Sequence, residues 1–289
     1  MTFSGKAVAY GAITVINAIS CGFGAALGIG LKTEASVKLT DRPGRIEGRI
    51  LSDPEENPIL IEKVVSRVLN RFNEQDEHGA YVETRSDIPI ARGLKSSSAA
   101  ANAIALATFS ALGNEVDDST VVNLGVDAAI DAKVTITGAF DDACASYFGG
   151  LVVTDNCQRK ILKRFNVEEY SVLIHVPPKK AYTATSNVER MKLIAREVKT
   201  AHNSAISGEY WQAMTINGIL YSSVLGHDPS ITLDALSAGA IAAGLSGKGP
   251  AVAAVVSKDH LEKVKRIWER YEGEIIVTKV NHEKAHTLK

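Results

Sequence analysis

The residues with the clearest chemical potential lie between Pro89 and Ala100, in the order Pro-Ile-Ala-Arg-Gly-Leu-Lys-Ser-Ser-Ser-Ala-Ala. A glycine, a lysine and three serines stand where a loop gives way to an alanine-rich helix, expected over residues 99–112. The first turn of a helix has unpaired N–H groups and carries about half a positive charge, which attracts phosphate. The pattern predicts a phosphate-binding loop. Ordinary helix capping is the alternative, but it explains one serine and not three.

Asp141 and Asp142 are adjacent carboxylates in the small, apolar segment Thr135 to Gly150. A carboxylate in such surroundings needs a reason, because burying an unpaired charge is costly. It caps a helix, holds a cation or moves a proton. We expect one of the two to cap a short helix over residues 143–147 and the other to face a ligand.

Composition bounds the class of protein. A chain of 289 residues is long for one compact core, so two lobes are expected. The formal net charge of −1 argues against a nucleic-acid partner held by overall charge. The three cysteines, Cys21, Cys144 and Cys157, form neither a metal-binding spacing nor an even disulfide set. A reducing, cytoplasmic setting is expected.

The stretch from Ala7 to Leu31 has no charged residue and is long enough to span a bilayer. Five glycines and several polar residues interrupt it. We therefore expect buried strands over residues 6–10 and 12–16, then a glycine-rich turn over residues 22–30, and no membrane partner. The glycines of that turn can bring the backbone close to a ligand or can simply pack tightly.

The elements that must position these residues follow in order. An amphipathic helix is expected after Asn57-Pro58, and another over residues 118–132. The polar run 155–163 is the candidate lobe boundary. The second half reads as a strand (171–176), helices (187–207, 209–225, 231–243), a turn at Ser246-Gly247-Lys248-Gly249, a strand (251–256), a helix (260–271) and a strand (274–280). This order predicts an α+β lobe with an antiparallel sheet, and a frayed tail after His282.

Three of these features occur together in one family. The N-terminal Gly5-Lys6, the loop from Pro89 and the late glycine turn resemble the motifs of the GHMP kinase superfamily, named for galactokinase, homoserine, mevalonate and phosphomevalonate kinases. Its middle motif is Pro-x-x-x-Gly-Leu-Gly-Ser-Ser-Ala-Ala, from which this chain differs by Lys95 and Ser98. Together with Thr-Gly-Ala-Phe-Asp-Asp-Ala-Cys-Ala-Ser, these differences look like the archaeal type of shikimate kinase. The resemblance covers the whole chain.

The resemblance implies a two-lobed α+β GHMP kinase fold. Residues 1–155 would form a lobe similar to ribosomal protein S5 domain 2, and residues 156–289 a ferredoxin-like lobe. It also implies ATP and Mg²⁺, with the triphosphate over the loop and the second turn, Ser246, Gly247, Lys248 and Gly249, nearby. The expected ATP contacts are Pro89, Ile90, Ala91, Arg92, Gly93, Leu94, Lys95, Ser96, Ser97, Ser98 and Ala99.

Catalytic roles follow from the same resemblance. In mevalonate kinase and galactokinase types the catalytic aspartate lies seven residues before a glycine, and counting back from Gly149 gives Asp142, with Asp141 one residue away. Lys6 matches the family lysine that pairs with this aspartate; a surface lysine is the alternative. A carboxylate beside a lysine stays ionised and can accept a hydroxyl proton.

Ligand contacts are assigned more loosely. Ser96 or Ser97 would hold Mg²⁺ together with phosphate oxygens and water. Lys95 would either contact phosphate or narrow the nucleotide site. Arg190 and Thr14 are candidate substrate contacts, and Arg92 also suits a carboxylate, because arginine recognises carboxylates in a bidentate manner. A solvated helix residue is the alternative for Arg190.

The expected function is ATP-dependent phosphorylation of a shikimate hydroxyl, a step toward chorismate and the aromatic amino acids. Homoserine or mevalonate kinase is the alternative within the superfamily, although homoserine kinases typically carry asparagine where Asp142 stands. A non-catalytic nucleotide- or sugar-binding regulator is the alternative of another class; Asp142 and Lys6 argue against it.

Overall fold

The computed structural model describes residues 3–178 and 187–289. The strands are β1 Ser4–Ile16, β2 Phe23–Thr40, β3 Ile46–Ile50, β4 Gly79–Ser86, β5 Leu151–Asp155, β6 Lys160–Phe165, β7 Ser171–Val176, β8 Ala242–Leu245, β9 Val252–Val256, β10 Glu274–Lys279 and β11 His286–Leu288. The helices are α1 Ile59–Arg71, α2 Ser96–Leu112, α3 Asp118–Asp131, α4 Phe140–Phe148, α5 Val188–Lys192, α6 Ala195–Ser207, α7 Tyr210–Leu225, α8 Ser230–Ser237 and α9 Leu261–Trp268.

Two sheets organise the described residues. In the first, the strand order is β11-β1-β2-β4-β3, and β5 joins β2 to β6. In the second, the order is β10-β7-β9-β8, and each neighbouring pair is antiparallel. The antiparallel sheet expected in the second half is therefore confirmed, and the mixed α/β architecture with two sheets is the one that the GHMP kinase resemblance implies.

The uncharged stretch from residue 7 to residue 31 forms two long strands that pair with each other, β1 and β2. The expected glycine-rich turn over residues 22–30 is wrong, because β2 begins at Phe23 and contains Gly24, Gly28 and Gly30. Of the two roles considered for these glycines, close packing is found: a Cβ on Gly24 would lie 2.5 Å from Asp141 Oδ2, and one on Gly28 3.1 Å from Gly149 Cα. No helix within the described ranges is long and apolar enough to cross a membrane.

Helix α2 packs directly across β1 and holds the phosphate-loop candidate in place. Its alanines allow the close approach, and a Cβ on Gly5 would lie 2.1 Å from the carbonyl oxygen of Ala107. Ala103, Ala105 and Ala107 are fully buried. The backbones of α2 and β1 therefore lie close together, which fixes α2 against the first sheet. Larger side chains at these glycine and alanine positions would not fit.

Several expected boundaries differ from the structure. Residues 242 and 243, expected to end a helix, belong to β8, and the segment 187–207 is broken between α5 and α6. The frayed tail is wrong as well: β11 pairs with β1, and the Ala285 N–H donates to the Tyr147 carbonyl at 2.7 Å. The polar run 155–163 leads into β6, which pairs with β5 in the first sheet. A lobe division after residue 155 stays a prediction.

Candidate active site

A cavity of about 150 Å³ lies where the end of β1 and the loops that precede α2 and α4 meet the turn between β8 and β9. The phosphate-loop candidate, the acidic pair and the second glycine turn, which are distant in sequence, thus line one space. Its lining residues are Asn17, Ala18, Ile19, Ala91, Gly93, Lys95, Ser96, Ser97, Ser98, Ala129, Val134, Thr135, Ile136, Thr137, Gly138, Ala139, Asp141, Asp142, Gly247, Lys248 and Gly249.

The loop before α2 has an alternating backbone. Ala91, Gly93 and Lys95 have φ values of 56°, 84° and 64°, whereas the residues between them do not have positive φ. Alternation of right- and left-handed residues forms a concave nest of N–H groups that binds anions. Leu94 and Ala99, by contrast, are buried in the core. Contact of the full stretch from Pro89 to Ala99 with ATP stays a prediction.

The N-terminus of α2 opens into the cavity. Lys95 is the residue that precedes the helix, and its side chain makes no capping hydrogen bond. Ser96, Ser97 and Ser98 occupy the first turn and line the cavity. Serine capping, the alternative for this stretch, is therefore not the arrangement found.

The loop and the second glycine turn are held together by short contacts. A Cβ on Gly93 would lie 2.1 Å from the Ser246 carbonyl oxygen, so only glycine fits there. The Ser246 hydroxyl donates to the Gly93 carbonyl at 2.7 Å. The Gly247 N–H donates to Thr14 Oγ1 at 2.8 Å. Thr14 is buried and does not line the cavity, so its hydroxyl positions the turn; a substrate contact through Thr14 stays a prediction.

Asn17 was missed by sequence reasoning. Its Nδ2 donates to the Gly247 carbonyl at 2.8 Å, and its own N–H donates to Asn217 Oδ1 at 3.0 Å. It therefore joins β1 to the turn and to α7 beside the cavity. An amide in an uncharged apolar run must find buried partners, and that was the available signal.

The acidic pair occupies the first turn of α4. Ala139, with φ 49°, precedes this helix and provides no side-chain cap, so the expectation that one aspartate caps it is wrong. Negative charge in a first turn is favourable because of the helix dipole. Both aspartates line the cavity, as expected for a residue that faces a ligand.

The two aspartates have different partners. Asp142 Oδ1 lies 3.0 Å from Lys95 Nζ, and these side chains are only 13% and 8% exposed. Asp141 Oδ1 accepts a hydrogen bond from Asn156 Nδ2 at 2.7 Å. Asn156, which sequence reasoning missed, is itself held by the Thr154 hydroxyl at 2.7 Å.

These surroundings affect the pKa values of the two aspartates differently. Burial, with the charge of Asp142 adding to it, raises the pKa of Asp141 to about 7. Burial also raises the pKa of Asp142, but the Lys95 ammonium group opposes that rise. The Lys95 contact therefore favours the ionised form of Asp142 over that of Asp141, and Asp141 is the member of the pair that is protonated more readily.

Lys6 does not form the expected pair with Asp142. It is exposed on β1, opposite Ser36 and Leu288. Eight residues separate it from Thr14 along one strand, which corresponds to about 26 Å at 3.3 Å per residue. Lys95, and not Lys6, is the lysine beside the Asp142 carboxylate. This contact differs from both roles expected for Lys95, which were to contact phosphate or to narrow the nucleotide site.

Comparison with known proteins decides the family. The models for the N-terminal and C-terminal domains of GHMP kinases match residues 60–150 and 213–274. A shikimate kinase from Methanosarcina mazei is 47% identical over 287 residues, covering 99% of this chain and 97% of that protein. The chain belongs to the archaeal-type shikimate kinases of the GHMP family.

Other members of this kinase family agree. A shikimate kinase from Methanothermobacter thermautotrophicus is 44% identical and covers 96% of both chains. Among solved structures, a homoserine kinase from Cytophaga hutchinsonii superposes with a TM-score of 0.77 at 19% identity, covering 100% of this chain and 98% of that one. The last likeness shows the fold alone.

The arginines expected to bind the substrate of this kinase lie elsewhere. Arg92 Nη2 donates to the Pro178 carbonyl at 2.6 Å. Arg190 is exposed on α5, where the Asn187 side chain accepts its N–H. Neither lines the cavity. Thr185, which precedes Arg190 in the sequence pattern, lies outside the described residues. In this structure the Arg190 side chain is solvent-exposed on a helix, as the alternative for it had it. Contact between Arg190 and a bound substrate stays a prediction.

The donors near the cavity suit a metal ion only in part. Within residues 3–178 and 187–289, no group of three or more His, Cys, Asp and Glu side chains could hold a metal ion. The hydroxyls of Ser96 and Ser97 do line the cavity. Magnesium accepts one or two protein ligands with phosphate oxygens and water, so these donors fit a magnesium ion that arrives with nucleotide.

Proposed function

We propose that this kinase transfers the terminal phosphoryl group of ATP to a hydroxyl of shikimate, forming shikimate 3-phosphate. The observation that carries the proposal is the Asp142–Lys95 pair, placed in one cavity with the N-terminus of α2. The 47% identity to a Methanosarcina shikimate kinase over nearly the full chain supports shikimate as the acceptor.

Asp142 would be the general base. An ionised carboxylate that lines the cavity can accept the proton of an acceptor hydroxyl as the oxygen attacks phosphorus. The Lys95 ammonium group, 3.0 Å from Asp142 Oδ1, opposes the rise in the pKa of this carboxyl that burial causes, and so favours its ionised form. Because phosphoryl transfer depends mainly on alignment and charge neutralisation, such fixed placement is a large part of the catalytic requirement.

Phosphate would bind against the start of α2. The N–H groups of the first turn and the three serine hydroxyls would provide donors without a formal charge, and the left-handed residues of the preceding loop suit an anion-binding nest. Ser96 or Ser97 would hold Mg²⁺. A magnesium ion bound there would neutralise developing charge on the transferred group.

The test is turnover by the purified protein. ADP release would be measured with Mg²⁺ and ATP in the presence of shikimate, homoserine or mevalonate, and the product identified by mass. We expect turnover with shikimate and at most background with the other two. Preference for homoserine or mevalonate would overturn the choice of acceptor. If none of the three acceptors supports ADP release, the proposed function is overturned.

A further inference from the structure

Lys248 carries a buried ammonium group without a partner. Its Nζ atom is shielded from solvent and makes no hydrogen bond to any part of the chain that the structure describes. Burial, with the positive charge of Lys95 adding to it, lowers the pKa of Lys248 to about 8. An unpaired buried cation is costly, so a role in binding an anion is the economical explanation.

The backbone that carries Lys248 is held on both sides. The His227 ring Nε2 donates to the Lys248 carbonyl at 3.0 Å, and Asn17 Nδ2 donates to the preceding Gly247 carbonyl at 2.8 Å. The turn is therefore fixed relative to β1 and to α7. A cation on a fixed turn loses less freedom when it binds a ligand than one on a mobile loop.

The other basic side chains near the cavity are engaged or point elsewhere. Lys95 contacts Asp142, Arg92 donates to Pro178, and Arg190 is exposed on α5. Among the described lining residues, Lys248 is thus the cation without an acidic partner. The N-terminus of α2 already provides donors for phosphate, which leaves Lys248 for a second anionic group.

We propose that Lys248 binds an oxyanion of one of the two reactants and that this oxyanion is the carboxylate of the acceptor. A phosphate group of the nucleotide has the same chemistry and is the other source. The identity of these reactants rests on the proposed function. In this role Lys248 selects for an anionic acceptor, and it neither donates nor accepts a proton during transfer.

The test compares Lys248→Met, which keeps the shape, with Lys248→Arg, which keeps the charge. Calorimetry would measure the binding of shikimate, of its carboxamide analogue and of a non-hydrolysable ATP analogue with Mg²⁺. If the carboxylate is the partner, Lys248→Met weakens shikimate binding about 10- to 100-fold, as expected for a charge-assisted hydrogen bond. The carboxamide and the nucleotide then bind as in the wild type.

The remaining outcomes are equally decisive. If only the nucleotide is weakened, the oxyanion is a phosphate. If both ligands bind Lys248→Met within twofold of the wild type, the role of Lys248 is refuted. In the wild type we also expect affinity for the anion to fall between pH 8 and pH 10, whereas Lys248→Arg should show no fall because arginine stays charged.

The design separates this inference from the proposed function. Binding is measured without turnover, so a protein that binds shikimate through Lys248 but does not phosphorylate it would contradict the proposed function alone. A wild type that binds the nucleotide but not shikimate would also contradict the proposed function alone. The effect of Lys248→Met on nucleotide binding would then show whether Lys248 binds a phosphate. Thermal melting controls for folding: removal of an unpaired buried charge should not lower the stability of Lys248→Met.

Discussion

Replacement of Lys95 by methionine should destabilise the protein in a pH-dependent manner. The change leaves Asp142 buried without its cationic partner. At the observed separation of 3.0 Å, an effective dielectric constant of 20 gives an attraction of about 5–6 kcal/mol. Removing one member of a buried ion pair typically costs about 3–5 kcal/mol. We therefore expect the free energy of unfolding to fall by about 3 kcal/mol at pH 8.

The direction of the pH dependence follows from Asp142. Without Lys95, burial alone acts on this carboxyl, so its pKa in the folded protein rises further above its unfolded value. A buried acid with a raised pKa folds more readily when protonated, and its cost grows as the pH rises above the unfolded value of about 3.9. Lys95→Met should therefore differ from the wild type much less at pH 5 than at pH 8.

Urea denaturation at both pH values measures the effect, with Lys95→Met/Asp142→Asn as the matched double variant. Because the double variant lacks the carboxylate that Lys95 contacts, it should recover most of the stability lost at pH 8, although the buried Asp141 remains. Lys95→Gly provides a second comparison, since glycine also relieves the left-handed backbone of residue 95. Two outcomes would show that the ion pair does not contribute to stability: an equal loss of unfolding free energy at pH 5 and pH 8, or a double variant that is no more stable than Lys95→Met.

Three further changes have defined outcomes. Asp142→Asn should lower kcat about 10²- to 10⁴-fold with unchanged affinity for an ATP analogue; a larger loss in Asp141→Asn would reverse the assignment. Thr14→Val leaves the Gly247 N–H unpaired and should cost about 1–3 kcal/mol in urea denaturation, whereas Thr14→Ser should keep the bond. His202 is buried and its pKa is lowered to about 4, so the free energy of unfolding should fall by up to about 3 kcal/mol from pH 6.5 to pH 4. A wild-type slope unchanged in His202→Gln would contradict this.

Local patterns predicted that Asp142 and the loop before α2 face a ligand site, and both line the cavity. The seven-residue distance from Asp142 to Gly149 spans the single helix α4, so counting residues placed Asp142 on that helix, and its catalytic role stays a prediction. The start of α2 was also local, because glycine and serine before an alanine-rich run specify a loop followed by a helix. These interpretations needed no knowledge of how distant segments pack.

The choice between Lys6 and Lys95 did depend on distant packing. Gly11 was interpreted as a break between two short strands, which left the position of Lys6 open. In the structure β1 continues past Gly11. The glycine serves close packing and does not end the strand, since a Cβ there would lie 3.2 Å from the Ile88 side chain. Continuity of the strand carries Lys6 away from the site. Likewise, the alanines of β8 favour a helix locally, and pairing with β9 overrides that preference.

The return of β11 to β1 has a consequence for the order of folding. Lys6 pairs with Leu288 and Val8 with His286, so this part of the edge of β1 stays unpaired until residues 286–288 have been synthesised. Exposed strand edges are sites of pairing with other chains. The nascent protein therefore depends on the antiparallel pairing of β1 with β2 and on the early cover of α2. A tag or truncation that prevents β11 from docking would leave the same edge open in the finished molecule, where self-association would reveal it.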